Sequence, residues 1–296
     1  MTDSATIRFI LDGKVVEVTD IDPTRTVLQF LREDLRRKGT KEGCAEGDCG
    51  ACTVVVAELH RDGEHVSLKA LNSCIQFLPT LDGKELITVE SLADGDNLHP
   101  VQEAMVNSHA SQCGFCTPGF VMSLYALYET NKSPGRQDID DALAGNLCRC
   151  TGYRPIIAAA QAMVLTNTQP NPERLAALQQ LQRTSSLRIE HRGRTFFAPS
   201  SLDELASIYK ENPEATILAG GTDIGLWVTK QHRELETVIY LGRIAELSDI
   251  RVHDTYIDIG GAATFTDVVP AIVEHYPGLD EMFRRFASPP IRNAGT

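Results

Sequence analysis

Past Cys150 the chain has no further cysteine; all eight lie at or before that position. A fold stapled by disulfides along its whole length would not distribute them so. The start, Met1-Thr2-Asp3-Ser4, has no basic n-region and no apolar h-region, so secretion is not expected. A cytoplasmic setting follows, in which clustered cysteines serve metal sites more readily than disulfides. No apolar run approaches membrane-spanning length. Positive charge is scarce: 28 Lys and Arg against 40 Asp and Glu leave a net charge of −12, which argues against nucleic acid and against an acidic membrane surface. Neither H-E-x-x-H nor G-x-S-x-G occurs, and the eight histidines are scattered, so no hydrolytic centre is expected. No repeat or low-complexity segment appears. What remains is a globular composition, 42% apolar over 296 residues, with room for two or three domains.

The chain is organised around Gly43-Cys44-Ala45-Glu46-Gly47-Asp48-Cys49-Gly50-Ala51-Cys52, with Cys74 following after twenty-one intervening residues. C-x4-C-x2-C with one distant cysteine is the spacing of plant-type [2Fe–2S] ferredoxins. Such a centre needs four thiolates and backbone N–H groups drawn close to sulfur. Small residues allow that approach, and Gly43, Gly47 and Gly50 are also free to take positive φ. A zinc knuckle or buried structural cysteines are the alternatives. Around this loop, Ile7, Phe9 and Leu11 alternate as a strand, Asp12-Gly13 marks a hairpin turn, and Val15, Val16 and Val18 return. Val27, Leu28, Leu31 and Leu35 have helical spacing. Strands are expected at Thr53 to Leu59, Val66 to Ala70 and Leu86 to Val89, making a small α+β sheet over residues 1–91.

From about Leu92 the period turns helical. Val101, Ala104 and Met105 suggest one helix. Thr117 as N-cap and Pro118 as N1 open a second through Tyr128, Asp140 to Leu147 suggests a third, and Pro155 opens a fourth. This all-α unit, residues 92–167, carries Cys113-x2-Cys116 and Cys148-x-Cys150, with thirty-one residues between the two pairs. Those cysteines sit at loop-to-helix junctions, where N–H groups are free and the helix dipole favours anionic sulfur. A second [2Fe–2S] centre, a four-cysteine zinc site and a pair of redox dithiols all remain open on spacing alone.

Thr168-Gln-Pro-Asn-Pro172 reads as a break, and residues 168–186 as a polar, semi-ordered linker. A third region, 187–296, opens near Leu187. Overlapping capping boxes in Ser200-Ser201-Leu202-Asp203-Glu204 precede a helix through Leu205, Ile208 and Tyr209. Thr216 to Ala219 reads as a short buried strand feeding Gly220-Gly221-Thr222-Asp223-Ile224-Gly225. Paired glycines after a strand suit a phosphate cradle, though an ordinary glycine turn has the same signature. Strands at Thr237 to Leu241 and Tyr256 to Ile259 and a helix near Asp267 to Glu274 follow.

Three blocks now stand out: Lys41 to Thr53, Gln112 to Gly119, and Asn146-Leu147-Cys148-Arg149-Cys150-Thr151-Gly152-Tyr153. Together they resemble the xanthine dehydrogenase family, over nearly the whole chain. The resemblance implies a multidomain α+β architecture. Its parts would be a β-grasp ferredoxin-like [2Fe–2S] domain, an all-α [2Fe–2S] domain and the first part of an FAD-binding domain of the vanillyl-alcohol-oxidase type. It implies Cys44, Cys49, Cys52 and Cys74 as ligands of the centre nearer the flavin, and Cys113, Cys116, Cys148 and Cys150 as ligands of the centre nearer molybdenum. Gln112 would contact the pterin. Ile217, Leu218, Ala219, Gly220, Gly221, Thr222, Asp223 and Ile224 would cradle the FAD pyrophosphate.

By the same resemblance, molybdopterin sits on a separate large chain, in a heterotetramer of two small and two large subunits. Hypoxanthine and xanthine are hydroxylated there to urate, and electrons pass through both centres to FAD and on to NAD. An aldehyde- or CO-oxidising relative, a stand-alone ferredoxin-like carrier and a zinc-stabilised interaction module are the competing readings. The family's second glycine-rich segment should begin at Pro290 to Thr296, where this sequence ends. FAD is therefore expected to bind weakly unless further residues or a separate fragment complete its domain.

Overall fold

The computed structural model describes residues 5–163 and 171–296. Thr168, Gln169 and Pro170, the start of the expected linker, lie outside the described residues.

Alternating apolar residues build the first hairpin. Ile7–Leu11 (β1) pairs antiparallel with Lys14–Val18 (β2) across the Asp12-Gly13 turn. Ile7 and Phe9 are fully buried, while Lys14, Val15 and Glu17 face water. Thr26 then caps Val27–Gln29 (α1): its hydroxyl accepts from the Gln29 N–H, and the Gln29 side chain accepts from the Thr26 N–H. The helix expected to Leu35 widens after Gln29 into a π-helical turn, Phe30–Asp34, that still buries Phe30 and Leu31. Thr53–Leu59 (β3), Val66–Asn72 (β4) and Glu85–Ile87 (β5) complete a sheet of order β2-β1-β5-β3-β4, in which β1 and β5 run parallel.

β3 shows why its sequence, Thr-Val-Val-Val-Ala, does not alternate. Both faces of the strand are covered. Val54 and Val56 join a core with Phe9, Phe30 and Leu78, and Val55 and Ala57 join another with Met122, Tyr125, Leu178 and Leu181.

The helical unit comprises Pro100–Asn107 (α2), Thr117–Thr130 (α3), Arg136–Ala142 (α4) and Arg154–Ala162 (α5), packed about Val101, Phe120, Leu124, Ile139 and Ile156. Two expectations need correction. Thr117 is the first residue of α3 rather than its cap; Cys116 holds the cap position in αR conformation without a side-chain bond. The helix expected at Asp140 to Leu147 lies earlier. The Asp138 carboxylate accepts from the Gly135 N–H at 2.8 Å and starts α4 there, and Asn146 is drawn instead into contact with Gly50 and with Thr53 at the start of β3.

His99 caps α2: its Nδ1 accepts from the Val101 N–H at 3.3 Å, and Tyr125 and Tyr128 stand edge-on to the ring. Burial holds the His99 pKa below its ordinary 6.5. The folded state thus favours the neutral ring, and stability present above 6.5 is lost as pH falls through the folded value. Glu129, whose Oε1 is 4.0 Å from Nε2, is shifted upward by burial and opposes this in sign. We predict that His99→Asn, which still caps but cannot titrate, loses part of the acid-induced fall in melting temperature expected of the native protein. Identical pH profiles by circular dichroism would remove His99 from that role.

Within the residues expected to form a semi-ordered linker, Pro172–Leu181 is a helix (α6). Asn171 caps it by accepting from the Arg174 N–H at 2.9 Å, and Pro172 occupies the first turn, where proline is no breaker. Leu178 and Leu181 bury against the first sheet, and Arg174 pairs with Glu85 at 2.7 Å.

The third unit holds the hairpin Leu187–His191 (β6) and Arg194–Ala198 (β7), then Leu202–Glu211 (α7), Thr216–Leu218 (β8), Ile224–Thr229 (α8) and Thr237–Tyr240 (β9). Its sheet order is β6-β7-β9-β8, with β9 parallel to both neighbours. β8 lies at the edge, so of the residues expected to be buried there only Leu218 is; Ile217 is 38% exposed. A small hairpin, Ile250–Val252 (β10) and Ile257–Ile259 (β11), precedes Phe265–His275 (α9), Asp280–Arg285 (α10) and Pro289–Arg292 (α11). The core of this unit is continuous with that of the first: Leu187, Phe196 and Val238 belong to the same apolar cluster as Phe9 and Leu78.

Candidate functional site

The two cysteine sets and the glycine loop lie along one continuous line of contacts. In the first set, the Cys44 N–H donates to Cys49 Sγ at 3.4 Å and the Cys49 N–H to Cys44 Sγ at 3.3 Å. Gly47 and Gly50 take positive φ of 78° and 69°, as expected, and so does Ala45 at 55°. Gly43 does not; its role is space, because a Cβ there would stand 2.7 Å from Cys49 Sγ. Cys52 opens β3 and Cys74 follows β4, both buried among Leu28, Ile75, Leu226 and Ile291. Asn72 and Ser73 fix them: Asn72 Nδ2 donates to the Gly47 carbonyl and Ser73 Oγ to the Cys52 carbonyl, each at 2.7 Å. The Cys74 thiol stands within hydrogen-bonding reach of Cys52, which lowers the Cys52 pKa and raises that of Cys74.

In the second set Cys113 and Cys150 are exposed, their sulfurs 3.5 Å apart. Cys116 and Cys148 sit deeper. Burial pushes the Cys116 thiol up to about 12, with Cys148 beside it adding to the shift. Burial would raise Cys148 as well, but the Thr151 hydroxyl at 3.1 Å and N–H at 3.4 Å outweigh it and hold that thiol below its ordinary value. Gln112, one residue from Cys113, lies exposed on the same surface.

The two sets meet through backbone. The Leu147 N–H donates to the Cys49 carbonyl at 3.0 Å, so one hydrogen bond separates Cys49 from the residue preceding Cys148. Buried Asn146 braces this contact: its Nδ2 donates to the Gly50 carbonyl at 3.2 Å, and its Oδ1 accepts from Ser123 Oγ at 2.7 Å. A Cβ on Gly43 would also lie 3.7 Å from the ring of Phe115, so the Cys113–Cys116 loop approaches the first set there.

On the other side, the glycine loop presses on the residue after Cys74. Gln76 Nε2 donates to the Gly220 carbonyl at 3.1 Å, and a Cβ on Gly225 would stand 2.6 Å from the Ile75 carbonyl oxygen. Gly220 itself leaves no room for a side chain, the Ala294 carbonyl oxygen lying 1.7 Å from where Cβ would be. Among the described residues, none accepts from the N–H groups of Gly220 to Ile224, which leaves a row of donors free for an anion. A cleft of about 650 Å³ opens beside the loop, bounded by Gln76, Lys69, Lys84, Gly220 and Tyr240. Burial there opposes the charged form of Glu58, yet Lys84 and Lys69 outweigh it and hold its pKa at about 2.

Comparison with known families assigns the three units. Residues 9–77 match the 2Fe-2S iron-sulfur cluster binding domain, 88–161 the [2Fe-2S] binding domain, and 188–296 the FAD binding domain in molybdopterin dehydrogenase. The chain belongs to the molybdenum hydroxylases. It is an iron–sulfur and FAD region of the xanthine dehydrogenase kind. It is 31% identical to xanthine dehydrogenase of Emericella nidulans over 98% of this chain and 26% of that protein. It is 30% identical to xanthine dehydrogenase/oxidase of Mus musculus over 97% and 25%. The chain thus spans about a quarter of the length of these relatives. Among solved structures, quinoline 2-oxidoreductase of Pseudomonas putida 86 is 32% identical over 59% of this chain and 96% of its own, with a TM-score of 0.45. Aldehyde oxidoreductase of Desulfovibrio gigas is 28% identical over 61% and 21%, with a TM-score of 0.48.

Each set supplies four sulfurs with backbone N–H or hydroxyl groups close by, and the loop at Gly220 supplies free N–H donors. Sequence reasoning missed the brace at Asn146 and a lysine, Lys230, that reaches the Cys44 carbonyl at 3.0 Å. Neither has a local signal, since each acts across domains. Among the described residues no helix is long and apolar enough to cross a membrane.

Proposed function

We propose that this chain is the electron relay of a xanthine dehydrogenase. In this reading the domains span residues 1–91, 92–167 and 187–296. Cys113, Cys116, Cys148 and Cys150 hold the centre that faces a molybdopterin-bearing partner chain, where hypoxanthine and xanthine become urate, and Gln112 contacts the pterin. Cys44, Cys49, Cys52 and Cys74 hold the centre beside the flavin. The segment Ile217 to Ile224 cradles FAD, from which NAD is reduced. The assembly is a cytoplasmic heterotetramer.

The observation that carries the reading is the hydrogen bond from the Leu147 N–H to the Cys49 carbonyl. It joins the exposed cysteine set to the buried one, and Ile75 and Gln76 join the buried set to the glycine loop. Iron–sulfur centres supply one-electron steps between a two-electron donor and a flavin. The protein's part is to fix their separation: Asn146 and the Gly50 backbone hold one set against the other, and Gln76 holds the glycine loop against the first set, beside Cys74.

The test uses the complex with its molybdenum-bearing partner. Xanthine should bleach the visible absorbance of the centres. Gln112→Ala should slow that bleaching about fivefold, the loss of a hydrogen bond worth on the order of 1 kcal/mol, while dithionite reduction keeps its rate. Equal xanthine rates would remove Gln112 from the path, and no bleaching by xanthine in the native complex would overturn the substrate.

A further inference from the structure

α8 begins at the glycine loop and ends on the loop of the first cysteine set. Near its start Gly225 rests on Ile75, and Leu226 packs with Cys52 and Cys74. At its other end Lys230 Nζ donates to the Cys44 carbonyl at 3.0 Å and lies 3.2 Å from Glu46 Oε2. The loop it meets is acidic, with Glu42, Glu46 and Asp48 interleaved among the cysteines. Lys41 turns away from it, its Nζ donating to the Lys38 carbonyl at 2.6 Å. The chain reverses directly after Cys44, at Ala45, whose φ is 55°. Lys230 therefore brings a cation from the third unit to the peptide of one sulfur-bearing residue.

We propose that Lys230 is a positioning residue for the first iron–sulfur centre: it raises that centre's reduction potential and ties it to the same helix that starts at the FAD loop. The inference rests on the reading of Cys44, Cys49, Cys52 and Cys74 as ligands. Reduction adds one electron, received from the second centre, and one negative charge to a loop already rich in carboxylates. An ammonium hydrogen-bonded to a ligand's own carbonyl favours that added charge, and net charge and hydrogen bonding are what set such potentials. Stability is the weaker expectation. Lys230 is 43% and Glu46 39% exposed, and ion pairs so placed hold little together. The effect should therefore appear in the potential. A centre of higher potential beside the flavin draws the electron out of the exposed set and toward FAD.

The experiment is a potentiometric titration of the full chain with both centres in place, followed by electron paramagnetic resonance. Lys230→Met should lower the reduced-to-oxidised ratio of the first centre at fixed potential by about tenfold, 59 mV for one electron. Lys230→Arg should hold the native value, and Glu46→Gln should move the midpoint upward. The second centre, untouched by Lys230, should keep its midpoint in all three. An unchanged first-centre midpoint in Lys230→Met with full iron content would overturn the proposal, as would equal shifts in both centres. If Lys230→Met loses iron, Glu46→Gln decides, and an unmoved midpoint there overturns it as well. A native protein with no signal from the first centre would instead sink the ligand assignment beneath it.

Discussion

Gly119→Ala should loosen the helical unit from the ferredoxin-like sheet and slow electron exchange between the two centres. Gly119 lies in the first turn of α3, and a Cβ there would stand 2.1 Å from the Gly50 carbonyl oxygen and 3.2 Å from Asn146 Nδ2. The nearest neighbour is backbone, which cannot swing aside as a side chain does. Nor can Gly50 retreat: it holds φ of 69°, and its own Cβ would meet the Gly145 carbonyl oxygen at 2.2 Å. Overpacking of this kind costs about 1–3 kcal/mol, and at about 2–4 °C per kcal/mol the melting temperature should fall by roughly 2–12 °C. The Leu147-to-Cys49 hydrogen bond lies one residue from the clash, so the variant should also equilibrate its centres more slowly after pulse reduction. Native melting and a native exchange rate together would mean that the two backbones do not approach so closely.

Cys148→Ser should take one centre and leave the other. The native chain should carry about four irons, two for each [2Fe–2S] centre, and the variant about two. Two paramagnetic signals should become one. The survivor should be the first set, whose supports at Asn72, Ser73 and the Gly47 turn lie in the β-sheet domain and do not pass through Cys148. A single signal in the native protein, persisting with unchanged iron through any substitution among Cys113, Cys116, Cys148 and Cys150, would end the two-centre reading.

The short-range contacts within each cysteine set were legible in the sequence because they are local. Cys44 and Cys49 exchange N–H bonds across five residues, and Thr151 reaches Cys148 across three. Small residues at Gly43, Gly47 and Gly50 follow from the need to bring backbone to sulfur. The joints between domains were not legible. Asn146 meets Gly50 across 96 positions and Lys230 meets Cys44 across 186, and no periodicity encodes such pairs. The polar stretch around Gln179 failed for a different reason. Pro172 is both a breaker inside a helix and a favoured opener of one, and only the burial of Leu178 and Leu181 shows which role it takes. Asp140 to Leu147 has Gly145-Asn146 near its end, a poor helical sequence, and the contact made by Asn146 holds the chain out of the helix there.

β3 has apolar side chains on both faces, one set facing the core shared with the third unit and the other facing α3 and α6. The ferredoxin-like sheet is therefore a common wall and not a detachable module. Excising it would bare two greasy surfaces at once: the third unit would lose much of its core, and α3 and α6 would lose the wall on which Met122, Tyr125, Leu178 and Leu181 rest. For transplantation into another oxidoreductase, the smallest portable piece is the sheet together with the layers on both of its sides. The two-centre wire and the flavin port would have to travel as one block.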